Sequence, residues 1–124
     1  MESNELLQNV FSDIMADFYS TFDIEPYPVR ILIVGDLCKG YSDLRPDHLA
    51  KQQVRINTAR ESNGIAVPPR DFEGIFTILL DASYVKESLD NNNANWIGTV
   101  AHEAAHINDF IQFAKISGAT DYNI

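Results

Sequence analysis

Apolar positions recur with a helical period over residues 4–22. Leu7, Val10, Phe11, Ile14, Phe18 and Phe22 form the stripe, and Leu6, Met15 and Tyr19 widen it. Ser3 or Asn4 is placed to cap this helix, and Glu5 suits its first turn. Pro26 and Pro28 then impose an extended connection. Residues 29–36 read as a strand, and the unbroken run Ile31-Leu32-Ile33-Val34 predicts burial on both faces. Residues 37–47 are rich in turn formers and read as a surface loop, with Pro46-Asp47 a candidate start for a short helix through Gln53. A weak strand is expected at 54–58, a turn at Glu61-Ser62-Asn63-Gly64 and a break at Pro68-Pro69. Residues 74–81 read as the second long apolar strand, Asp81-Ala82-Ser83 cap a short helix through Leu89, and residues 95–115 form the last helix, with Gly118 as its stop. Helices at both ends of a few strands predict a single α+β domain over residues 1–124.

Composition narrows the function. The chain has 124 residues, 45% of them hydrophobic, enough for one packed core. A formal net charge of −9 disfavours nucleic acid and anionic membrane surfaces as partners. No apolar run approaches the roughly 20 residues that span a bilayer. The N-terminus carries no signal-peptide pattern, and Cys38, the single cysteine, cannot form an internal disulfide, so a cytoplasmic protein is expected. Cys38 itself reads as a small, half-buried residue, and Gly35-Asp36 with Gly40 makes no phosphate-binding motif.

The last helix carries the chemistry. It contains His102-Glu103-Ala104-Ala105-His106, an H-E-x-x-H sequence. Residues four apart lie one turn apart on the same helix face, so two imidazoles can reach one ion. Two imidazoles with an open position suit zinc. Glu103, beside the first histidine, can take a proton from an attacking water without ligating the ion. With His102 at zero on the helical wheel, His106 falls near about 40° and Asp109 near about 340°. Val100, Ala104, Ile107 and Ile111 gather on the far side, flanked by Trp96 and Ile97, so the core face is opposite the histidines. Gly98, Thr99 and Ala105 are small and leave room for a ligand near them. Only three histidines occur in the chain, and two of them sit at ligand spacing.

This motif on a late helix, after a strand such as Phe76 to Leu80, resembles the zincin metallopeptidases. The small acidic chain is similar to minimal gluzincin-like and ImmA/IrrE-type peptidases, several of them from phage and mobile-element systems. The resemblance implies an N-terminal helix, a small twisted, mainly antiparallel sheet and the H-E-x-x-H helix. It implies zinc on His102 and His106, Glu103 as general base, and a peptide or protein substrate held extended along an edge strand. The edge strand would be residues 74–82 or their neighbour. The alternative is a non-catalytic zincin-like module that binds a protein partner. Two departures bear on the third ligand. The metzincin glycine and third histidine positions hold Asp109 and Gln112, and no glutamate follows Glu103 as a gluzincin would require. Asp109, better suited to orienting an imidazole, Asp121 beyond the Gly118 turn, His48, or a residue beyond Ile124 in a C-terminally truncated domain are the candidates. Tyr122 is a weaker candidate for stabilising an oxyanion. Substrate identity and oligomeric state stay open.

Overall fold

The computed structural model describes residues 2–46 and 63–121. Among them the chain is an α+β fold of four helices and a three-stranded mixed sheet. The order is α1 (Glu2–Phe22), β1 (Val29–Val34), α2 (Leu37–Leu44), β2 (Gly64–Val67), β3 (Phe76–Asp81), α3 (Ala82–Asp90) and α4 (Asn95–Ser117). The candidate strand at 54–58, His48 and Tyr122 lie outside the described residues.

Helix α1 already includes Ser3 and Asn4, so neither caps it. It ends before the prolines: Asp23 turns left-handed at φ 52°, and the Ile24 N–H bonds back to the Tyr19 carbonyl at 3.0 Å. That bond satisfies a terminal carbonyl in the manner of a Schellman motif. Helix α4 ends the same way, with Gly118 at φ 70° and the Ala119 N–H on the Ala114 carbonyl. Asp81 caps α3 as its sequence predicts, its side chain accepting from the Tyr84 N–H at 3.1 Å.

The strand order is β1-β3-β2, with β1 parallel and β2 antiparallel to β3. The mainly antiparallel sheet implied by the zincin resemblance is thus replaced by a mixed one. The expected burial is also redistributed. β3 is central, and Phe76, Thr77, Ile78, Leu79 and Leu80 are all buried. Its side chains alternate: Phe76, Ile78 and Leu80 enter the core shared with α1 and α4, and Leu79 joins Leu37, Tyr41 and Val67 in a second core beneath α2. Among the described residues β1 lies at one edge, and its Leu32 and Ile33 remain 37% exposed, contrary to the two-sided burial expected from its apolar run. A continuous hydrophobic run reports that a strand is buried, but not which strand sits in the middle.

The segment after β1 is α2 rather than a loop. Asp36 caps it, accepting from the Lys39 N–H at 3.1 Å. Gly40, which reads as a turn former, lets the helix approach the sheet: a Cβ there would meet Leu79 Cδ1 at 3.2 Å. Pro46 follows α2 in a 3₁₀ conformation, and the remainder of the short helix expected from Pro46-Asp47 lies outside the described residues. Cys38 is half-buried on α2, as expected. No helix among the described residues is long and apolar enough to cross a membrane.

Candidate metal centre

Helix α4 packs on the sheet as its wheel requires. Val100, Ala104 and Ile107 are fully buried, Trp96 and Ala114 nearly so, and Ile111 packs against the same core. The helix runs unbroken through Asp109. His102 and His106 are exposed on the opposite side. Their Nε2 atoms face each other at 3.0 Å, with the rings perpendicular. Two nitrogens on one tetrahedral zinc ion stand roughly 3.3 Å apart, from the usual bond length of about 2.0–2.1 Å. The donor set therefore fits a single ion with little side-chain movement.

Glu103 lies at the boundary of core and site. It is 8% exposed, and its Oε2 accepts a 2.9 Å hydrogen bond from the Ala66 N–H. Ligating atoms of His102, Glu103 and His106 all fall within 4.8 Å of one another. Burial raises the Glu103 pKa above the usual carboxylate range. The His106 imidazole, the Ala66 N–H and the His102 imidazole pull it partly back.

Ala66 belongs to β2, which among the described residues is the edge strand beside the motif, and residues 74–82 supply its neighbour, the central strand β3, the second of the two places expected for them. Gly64 sets the closeness of this contact. A Cβ there would stand 2.8 Å from Thr99 Cγ2 and 2.9 Å from Leu80 Cδ2. Gly64→Ala should therefore push β2 from α4 and destabilise the protein by about 1–3 kcal/mol in denaturant titration.

Tyr27 supports the motif helix from the core side. Its hydroxyl donates to the Ala104 carbonyl at 2.9 Å, while its ring meets Tyr19 and Phe76 edge-on. Burial, with Tyr19 adding to it, holds the Tyr27 hydroxyl well above the usual phenol pKa. Tyr27→Phe should cost about 0.5–1.5 kcal/mol of unfolding free energy, the net value of one such bond.

Of the expected third ligands, Asp109 is exposed on α4 and outside the cluster, and Asp121 also stands outside it. From His102 to the helix end at Ser117 is roughly 22 Å at about 1.5 Å per residue, which separates Asp121 from the histidines. The structure thus gathers His102, Glu103 and His106, and leaves both aspartates out. Sequence reasoning missed Ala66, Gly64, Tyr27 and Tyr84. A backbone N–H has no residue signature, and Tyr27 sits in a proline-rich connection with no periodicity.

Beside His102 lies an open cleft of about 500 Å³ between α4, β2 and α3, with Gly64, Tyr84, Gly98 and Thr99 in its walls. Compared with known protein families, curated proteins and solved structures, the chain matches none.

Proposed function

We propose that the chain is a zincin-like, zinc-dependent peptidase or the catalytic domain of one. The observation that carries this reading is the convergence of two exposed imidazole Nε2 atoms, 3.0 Å apart, beside a carboxylate anchored to an edge strand. His102 and His106 would hold the ion. Zinc, when bound, polarises a carbonyl and acidifies water. Glu103 would take the proton of the attacking water and deliver it to the leaving amine. The bond from Ala66 fixes Oε2, so the base is held in place before substrate arrives. β2 would align an extended peptide beside the helix.

A second reading has its own support. Outside the H-E-x-x-H motif, the described residues add no further ligand to the cluster. A module of this fold that holds its ion weakly and binds a protein partner is consistent with that.

Metal content decides whether the site binds an ion. Protein purified without chelator should carry about one zinc per chain, and the double variant His102→Ala, His106→Ala should carry none. Equal zinc in both proteins would remove the metal centre. Peptide hydrolysis by the zinc-loaded protein then separates enzyme from binding module.

A further inference from the structure

We propose that the cleft beside His102 is a side-chain subsite that selects a neutral, hydrogen-bonding residue of the substrate, with Gly98 setting its size limit. The inference rests on the hydrolase reading above and names the substrate class of that site.

Gly98 is the first observation. It lies inside α4, one turn before His102, where glycine weakens a helix relative to alanine. Packing does not require it: a Cβ at Gly98 would meet nothing within 4 Å, in contrast to Gly64 across the cleft. The space that a side chain would fill belongs to the cleft. Position 98 therefore keeps the helix surface bare where a ligand group can lie.

The second observation is a pair of hydroxyls in contact. Thr99 Oγ1 lies 3.3 Å from the Asn95 carbonyl, to which it can donate, and 3.0 Å from the Tyr84 hydroxyl, where either oxygen can be the donor. In both arrangements the Tyr84 oxygen keeps a lone pair for a ligand N–H or O–H. Among the described residues in the cleft wall, His102 and Glu103 are the only acidic or basic side chains; Asn63 and Asn95 add amide groups. A carboxylate side chain would meet acceptor lone pairs and the Glu103 carboxylate. A carboxamide would find both donors and acceptors.

The backbone of β2 completes the subsite. The Asp81 N–H bonds to the Asn63 carbonyl, so Asn63 faces β3, while the Ala66 N–H faces away from it toward Glu103. Strand alternation puts the Gly64 N–H and carbonyl on the Ala66 side. Gly64 lines the cleft, so these groups can pair with a substrate backbone and lay its side chain over Gly98.

The test measures binding of amino-acid hydroxamates to the zinc-loaded full chain by calorimetry. Acetohydroxamate has no side chain and reports the metal site alone. N-acetylglutamine hydroxamate should bind about tenfold more tightly than its glutamate counterpart, because the two differ only in the group presented to Tyr84. In Gly98→Leu, the ratio of glutamine-hydroxamate to acetohydroxamate affinity should fall about tenfold, and taking the ratio cancels any change at the metal. Gly98→Ala, which favours the helix and narrows the cleft least, should raise the melting temperature and shift the ratio less. Glutamine and glutamate hydroxamates binding within twofold of each other, or a ratio unmoved in Gly98→Leu, would overturn the subsite while leaving the hydrolase reading intact. Zinc-loaded wild type that fails to bind acetohydroxamate would overturn both.

Discussion

Zinc-loaded Glu103→Gln should hydrolyse peptides about 10²–10⁴-fold more slowly than wild type, the usual contribution of a positioned general base. It should still bind zinc, because the two imidazoles are untouched. The carboxamide oxygen of that variant can accept from the Ala66 N–H as the carboxylate does, so the β2–α4 contact survives. Stability then supplies an independent check on the metal-free protein. Burial raises the Glu103 pKa in the folded state, and the neighbouring imidazoles and the Ala66 N–H only partly oppose it. A carboxyl with a raised folded pKa contributes stability that is complete below its unfolded pKa and is lost as pH rises through the folded value. Metal-free Glu103→Gln should therefore be at least as stable as wild type near neutral pH, and the difference should shrink as pH falls below the ordinary carboxylate range. Thermal melts across pH measure this. Full hydrolysis by Glu103→Gln would remove Glu103 as the base. A variant much less stable than wild type at neutral pH would show that the ionised carboxylate holds β2 in place more strongly than burial opposes it.

Ile107→Ala should lower the unfolding free energy by about 2–4 kcal/mol, whereas its neighbour His106→Ala should change the metal-free protein by less than about 0.5 kcal/mol. Ile107 is fully buried in the core that α4 shares with β3 and α1, so truncation loses its transfer free energy and leaves a cavity. His106 is exposed and packs edge-on to His102 alone among the described aromatic pairs. Zinc should reverse the ranking at the metal: affinity falls steeply in His106→Ala and little in Ile107→Ala, as long as the latter stays folded. Urea titrations with and without zinc read both effects. Comparable losses of stability from the two substitutions in chelator would contradict the assignment of one helix face to the core and the other to the ion.

Much of this arrangement is written in local sequence. The helical period of α1 and α4, the Asp81 cap and the Gly118 stop depend on residues within a turn or two of each other, where backbone geometry dictates which side chains meet. So do the core face of α4 and the pairing of His102 with His106. What the tertiary structure alone decided is non-local. The apolar runs of β1 and β3 look alike, yet β3 took the centre because both β1 and β2 pair with it. Gly40 looks like a turn until Leu79 is seen to need its space. Above all, the wheel puts Glu103 next to His102 but says nothing of its anchor. The Ala66 N–H that binds it is 37 residues away, on a four-residue strand with no polar signature. Side-chain periodicity records which face of an element is buried. Which backbone group meets that face depends on strand order and register, and those are fixed only when the whole sheet assembles.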